Sequence, residues 1–586
     1  MRLFFVTVWL TLTHFSWASS RNRCLWRRDL ALINSPSGNY APIHSSCPEK
    51  LFLRAPKQGE SHLYSAEYTY VKERAEKSIP LWREYLSRVN LSEFNIEKFL
   101  KKAEERGGLQ AKTLPNFGFA LSGGGARALC LGGSILDAFD SRNEKANKAG
   151  IGGILQLANY AAGVSGGSWL LGSWSTSNFP RIPSLNWRLT EQNDLWDWNI
   201  AKHYPKVYKV VKQKKKAGFP VSIVDAWGRI LSRHFIADGA ENSSLQGVGV
   251  LWSSIRETKS YKERSAPFVL AVTISRPGEK KDFTPETPTY EFTPEEFGVW
   301  HPYLNASIPI EYLGSPSPLF SSEPGACVRG FDNAGFVMGM SSNIFSLGDA
   351  PSRTQSKPLF LKLLDAFISG EDFEGKVPNP FQGFGTAGFQ DKNREMLLMA
   401  DCGFTRESIP VFTLIQPARK LDVIIAVDSN ADGIDPEDPK TMAYPNGTAL
   451  FAAYAKTSVS AFSGYRIPKV PNTFDGTFAS GGYNKRPTFF GCNSGPQAPL
   501  IIYLPNYYAT AKTNVLTEET TFEQEEIEAF LDNGFAIASQ NAGPTKSTEW
   551  PACLACALID NQVQRNGAQR TAQCEACFKK YCAKRD

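Results

Sequence analysis

The sequence predicts an α/β fold: a central mixed sheet with helices and long insertions. Three stretches carry that expectation. Phe117 to Leu121 is a short apolar strand that runs into Gly123-Gly124-Gly125 and then a helical pattern to about Phe139. Ile154 to Ala162 reads as a second strand, followed by Gly163-Val164-Ser165-Gly166-Gly167 and the apolar Trp169-Leu170-Leu171. Leu421 to Val427 is a near-continuous apolar run, the pattern of a strand buried on both faces. Strand, glycine turn and helix in succession mark an α/β sheet.

Residues 1–20 read as an export signal. Arg2 supplies the charge, Leu3 to Leu12 the apolar run, and Trp17-Ala18-Ser19-Ser20 the small residues for cleavage. The alternative is a buried N-terminal strand or helix. No other apolar stretch approaches twenty residues, so no membrane-spanning helix is expected. The tail ends Lys584-Arg585-Asp586, without the hydrophobic segment of a GPI signal. Four N-x-Ser/Thr sequons, at Asn90, Asn242, Asn305 and Asn446, fit a secreted, extracellular glycoprotein.

Residues 21–45 form an N-terminal segment within a proline-rich, loop-like stretch. From 46 to 584 the chain is expected to form one large domain. Residues 63–110 are mostly helical in pattern, whereas 180–395 are irregular and rich in Pro, Gly, Trp and Phe. Met396 to Ala400 reads as a strand ending at Asp401, and Glu518 to Phe530 as an acidic helix. A formal charge of +6, from 64 basic and 58 acidic residues, is too small for this length to suggest nucleic-acid binding. The densest basic run, Lys206 to Lys216, is either a lipid-facing patch or a solvated helix face. Trp187, Trp196 and Trp198 upstream of it suit a lid over an apolar pocket or the core.

Eleven cysteines leave at least one thiol unpaired, with Cys130 and Cys402 the candidates because both sit beside apolar sequence. Cys553-x-x-Cys556 and Cys574-x-x-Cys577 have zinc-site spacing, but an exported chain favours disulfides over zinc.

The chemistry concentrates at three places. Gly163–Gly167 is a G-x-S-x-G turn, on which Ser165 would present its hydroxyl. Ser122-Gly123-Gly124-Gly125-Ala126-Arg127 leaves a strand and opens a helix. Its amides suit an oxyanion hole or a phosphate loop, although the Gly-Lys-Ser/Thr of a Walker loop is missing. The third place is the base. Of six histidines, none follows residue 301, and only His234 or His301 could follow an acid as in a Ser-Asp-His order. Asp401, at a strand end before Cys402-Gly403, is the alternative, with Asp428 its structural rival.

Together these segments resemble the cytosolic phospholipase A2 and fungal lysophospholipase (phospholipase B) family. Asp225-Ala-Trp-Gly228, Tyr290 to Gly298 and Leu421 to Ile425 add to the likeness, and the sequons and cysteine-rich tail resemble the secreted fungal branch. The resemblance implies a patatin-related catalytic domain acting on phospholipids and lysophospholipids at a transient membrane or micelle surface. It implies a Ser165/Asp401 dyad, oxyanion glycines Gly124 and Gly125, and Arg127 at the headgroup phosphate. It implies no cofactor and no metal: no calcium-binding lipid module precedes the motifs. Ala126 stands where the family also places bulkier residues. A lipid-binding protein without turnover and a zinc protein built on the tail are the competing readings.

Overall fold

Eleven strands form one sheet, and its five central strands are parallel. The computed structural model describes residues 30–48, 53–55, 62–106, 113–190, 204–239, 245–276, 278, 283–319, 325–347 and 373–584. The sheet strands are β1 (Phe117–Leu121), β2 (Tyr160–Val164), β3 (Phe268–Ser275), β4 (Thr289–Phe292), β5 (Glu296–His301), β6 (Leu304–Pro309), β7 (Gly375–Pro378), β8 (Met396–Ala400), β9 (Val423–Asp428), β10 (Thr488–Phe490) and β11 (Leu500–Pro505). Their order is β10-β11-β9-β1-β2-β3-β4-β5-β6, with β8 pairing to β3 and β7. From β11 to β3 the strands are parallel; β10, β4, β5, β6, β7 and β8 pair antiparallel. The central strands are buried along their whole length, as their unbroken apolar runs require.

Helices α1 (Ser65–Lys77), α2 (Ile79–Val89) and α3 (Ile96–Arg106) fill the N-terminal helical stretch. Then α4 (Gly125–Ala138) follows β1, and α5 (Gly166–Thr176) follows β2. Both are buried throughout, so neither shows a polar stripe. The middle of the chain holds α6 (Tyr204–Lys216), α7 (Ile223–Phe235) and α8 (Ala334–Ser341). The last part holds α9 (Thr448–Thr457), α10 (Gln524–Ser539), α11 (Trp550–Arg565) and α12 (Ala572–Tyr581).

Two expected elements shift. Ile154 to Ala162 is not one strand: Ile154–Leu157 is a helical turn and β2 starts at Tyr160. Gly153, at φ 98°, starts the turn, and the buried Arg74 guanidinium donates to the carbonyls of Gln156 and Ala158 at its end. The acidic helix begins at Gln524 rather than Glu518, where Glu523 and Glu526 form a reciprocal cap. The stretch read as irregular contains β3 to β7 and the helices α6, α7 and α8. Its Asp225-Ala-Trp-Gly segment starts α7. Asp225 accepts from the Ser222 N–H, the Tyr40 hydroxyl at 2.7 Å and Lys214 at 2.6 Å, and a Cβ on Gly228 would lie 2.6 Å from the Gly335 carbonyl oxygen.

The basic run is α6. Val207, Val210, Val211 and Lys214 face inward at helical spacing, and Lys206, Lys209, Lys212, Lys215 and Lys216 are exposed. Lys214 is therefore spent on Asp225; burial lowers its pKa and Asp225 opposes that shift. Trp187 is half-buried and donates to Ser173 Oγ; Trp196 and Trp198 lie outside the described residues.

Four disulfides join Cys47–Cys327, Cys492–Cys582, Cys553–Cys577 and Cys556–Cys574, and Cys130 and Cys402 are free and buried. Thus the tail sulfurs of zinc-like spacing cross-link α11 to α12. Among the described residues no helix is long and apolar enough to cross a membrane. Of the sequons, Asn90 is exposed, Asn305 and Asn446 are half-buried, and Asn242 is outside the described residues.

Candidate active site

Ser165 sits at the carboxyl end of β2 with φ 51° and ψ −123°, a conformation costly for any residue with a Cβ. The surroundings hold it there. Its N–H donates to Ser341 Oγ at 3.1 Å, and its carbonyl accepts from Ser168 Oγ at 2.7 Å and from the Ser168 and Trp169 amides. Ser341 in turn donates to the Val272 carbonyl of β3. The sharp turn holds Ser165, buried, at the start of α5, the strand-to-helix placement of a G-x-S-x-G turn.

The glycine turn after β1 lies directly alongside. A Cβ at Gly166 would run into the Gly125 carbonyl oxygen, and one at Gly123 would lie 3.6 Å from Ser165 Oγ. Backbone contact requires glycine at Gly166, and at Gly123 an added Cβ would crowd the Ser165 Cβ at 3.0 Å. Gly124 (φ 130°) and Gly125 (φ 63°) occupy conformations that disfavour side chains. Among the described residues neither of their N–H groups has an acceptor. They are thus two free donors beside the Ser165 hydroxyl, at the start of α4.

Asp401 ends β8, and its antiparallel pairing with β3 brings it to Ser165. Its N–H donates to the Asn343 carbonyl, and Asn343 Nδ2 donates to the carbonyls of Met399 and Phe373. The Asp401 carboxyl is buried and accepts from the Gly403 N–H at 2.7 Å, and the nearby Ser165 hydroxyl is a second donor that lowers its pKa. Burial pushes its pKa up to about 6, against the pull of those two donors. Such a carboxyl is a stronger base than an exposed aspartate.

The histidines lie elsewhere. His234 Nδ1 meets the Ile230 carbonyl within α7. His301 Nε2 meets the Glu286 carbonyl, and burial, aided by Lys456, lowers its pKa to about 4. Asp428 is a structural carboxyl: it accepts from Tyr503 at 2.6 Å and from the Asn430 N–H. Burial, with Asp432 next, raises it to about 7.

Arg127 is buried against the protein's own acceptors. Nε donates to the Ser429 carbonyl (2.9 Å), one terminal nitrogen to the Val515 carbonyl (2.5 Å) and the other to Thr517 Oγ1 (3.2 Å). Burial lowers its pKa to about 10, with Glu518 and Asp428 opposing. The segment 515–517 therefore lies over the glycine turn, and a Cβ on Gly125 would come 2.6 Å from the Thr517 carbonyl oxygen. Ser341, Asn343 and Ser408, whose carbonyl accepts from the Gly123 N–H, carry no sequence signal of their own. Their positions follow from packing alone. A 560 Å³ cleft lined by Asn116, Tyr160 and Asp422 opens at the other end of the sheet, where the parallel strands begin, away from this chemistry.

Residues 117–586 match the family model of the lysophospholipase catalytic domain. The chain belongs to the lysophospholipase catalytic-domain family. Lysophospholipase 2 of Aspergillus fumigatus is 37% identical over 577 residues, covering 94% of each chain. Lysophospholipase 3 of Saccharomyces cerevisiae is 31% identical, covering 94% of this chain and 82% of the relative. Human GIVD cytosolic phospholipase A2 shares the fold, with a TM-score of 0.64 at 16% identity over 88% of this chain and 69% of that one. In this lysophospholipase-family chain, Asp225 and Trp227 of the recognised segments are scaffold. The segment Tyr290 to Gly298 likewise spans the β4–β5 hairpin, where Glu291 holds the buried Arg419 at 2.7 Å.

Proposed function

We propose that this protein hydrolyses acyl esters of lysophospholipids and glycerophospholipids through a Ser165/Asp401 dyad. The observation that carries the reading is Ser165 lying beside a buried, pKa-raised Asp401 and next to the free N–H groups of Gly124 and Gly125. Asp401 takes the hydroxyl proton as Oγ attacks the ester carbonyl. The carbonyl oxygen, now negative, meets the Gly124 and Gly125 amides. Collapse breaks the bond to the glycerol oxygen, which takes the proton back from Asp401 and leaves an acyl-Ser165 ester. Water, deprotonated by Asp401, then attacks this ester; the fatty acid departs and Ser165 regains its proton.

Arg127 acts first as a clamp that holds Ser429 and the 515–517 segment to the glycine turn. Three of its five guanidinium N–H groups are spent on Ser429, Val515 and Thr517, so the phosphate contact expected of it has two N–H groups to draw on. The sequons and the leader-like residues 1–20 support export, as do four disulfides, which persist in oxidising compartments.

Fatty-acid release from lysophosphatidylcholine and phosphatidylcholine, with excess chelator, tests the reading. The parent is active, at least on the lysophospholipid, whereas Ser165→Ala and Asp401→Asn are folded and inactive. An active Asp401→Asn beside an inactive Asp428→Asn or His234→Ala refutes the dyad.

A further inference from the structure

A small apolar cluster separate from the main core surrounds the dyad. Val164 precedes Ser165, Ala400 and Cys402 flank Asp401, and these pack with Val272 and Ile274. Two half-buried rings, Phe283 and Phe404, close its outer side, stacked with centroids 5.0 Å apart. The chain then turns through Thr405 to Arg406, which is exposed and among the described residues forms no ion pair within 4 Å, though its charge reaches the buried Asp432 carboxyl. Its guanidinium lies 5.3 Å from the ring centre of Phe474. Phe474 is 66% exposed, more than any other large apolar side chain described, and meets Phe451 edge-on at 5.8 Å. Between them is a 160 Å³ groove lined by Pro285, Thr405, Arg406, Phe451, Ala455 and Phe474. Lys456 and Glu407 at the groove neutralise each other at 2.9 Å.

These groups form one continuous band, from the Phe283–Phe404 pair through Arg406 to Phe474, on the flank of the turn that holds Asp401. We propose that this band is the surface by which the protein docks on a phospholipid aggregate, with Phe474 entering the acyl boundary and Arg406 meeting anionic headgroups. The inference rests on the lipid-hydrolase reading and adds to it the face that meets the lipid. A ring of this size gains free energy by leaving water. A guanidinium behind it keeps its charge at the headgroup level, where anionic lipid attracts it. Exposed phenylalanine with an exposed cation beside it matches an anionic lipid boundary, where aromatic and basic side chains collect. The exposed lysines of α6 remain a solvated helix face in this reading.

Vesicle co-sedimentation in the Ser165→Ala background measures docking without turnover. The vesicles are phosphatidylcholine alone and phosphatidylcholine mixed with phosphatidylglycerol. The Ser165→Ala protein binds both, the mixed vesicles more tightly. Adding Phe474→Asp lowers partitioning about tenfold on both, whereas Phe474→Trp retains it. Adding Arg406→Gln removes about fivefold on the mixed vesicles only. Phe474→Asp that binds as well as its parent overturns the proposal, as does a parent that binds neither vesicle. So does a dimer that Phe474→Asp dissociates with vesicle binding unchanged, for the band is then a contact between two copies. Failure of the hydrolase reading shows separately, as absent labelling of Ser165 by a water-soluble fluorophosphonate, and leaves the vesicle result standing.

Discussion

Replacing Asp401 by Asn should abolish turnover and yet stabilise the protein. The buried carboxyl titrates at about 6 in the fold against an ordinary 3.8. The folded state thus holds its proton more tightly than the unfolded chain does. Stability is greatest below the unfolded value, falls as pH rises from about 4 to about 6, and stays lowered above that. The deficit at neutral pH is roughly 3 kcal/mol. Asn removes the charge and can still accept from the Gly403 N–H, so roughly 1–3 kcal/mol should be recovered after the cost of a buried amide. Urea unfolding of parent and variant, disulfides intact, measures the difference at about pH 7.5 and about pH 4. The gain should be present at the higher pH and shrink to a few tenths of a kcal/mol at the lower. A variant less stable than the parent at neutral pH, or a gain of equal size at both, would refute the reasoning.

The same carboxyl sets a rate profile: kcat/KM for a soluble short-chain ester should rise about tenfold between about pH 5 and about pH 7, because the base acts deprotonated. Asp428→Asn should leave that limb in place; a lost limb would assign it to Asp428, itself raised to about 7. Gly166→Ala drives a methyl into the Gly125 carbonyl and should cut turnover at least about a hundredfold through displacement of the donors; activity near the parent's would show that the turns can separate freely. Removing Cys553–Cys577 by paired alanines opens a cross-link across 24 residues and should cost about 3 kcal/mol in thermal or urea unfolding; no loss would mean that the tail unfolds apart from the sheet.

The parts legible in the sequence were those in which neighbours along the chain do the work. β1 and β2 each lead through a glycine turn into a buried helix, so local pattern and chemistry coincide. The free thiols at Cys130 and Cys402 were legible for the same reason, from the apolar sequence around them. Strand β3 is an unbroken apolar run masked by the proline- and glycine-rich residues around it, and β4 to β7 were hidden because they are short and mix polar residues, glycine or proline into the apolar pattern. Ile154 misled because an apolar run serves a helical turn as well as a strand, and Arg74, which caps that turn, comes from a distant helix. Arg127 differs: its residue type suits phosphate, and its partners within the fold arrive from residues 429 and 515–517, which no local pattern announces. Asp401 was legible as a strand end; that it faces Ser165 depends on β8 pairing with β3.

Strand order also decides when in synthesis a hydrolase can exist. β1 lies between β2 and β9, and the Ser429 N–H bonds to Ser122 Oγ, so the glycine turn is shaped by chain made long after it. Asp401 comes late as well. Asn561 of α11 donates to the Asp422 carbonyl at the start of β9, and Arg565 pairs with the Asp422 carboxylate. A nascent chain that already carries Ser165 therefore lacks Asp401 and the segments that shape the glycine turn. Such a chain cannot assemble the proposed site until its C-terminal part has been made, so the order of translation itself delays the chemistry.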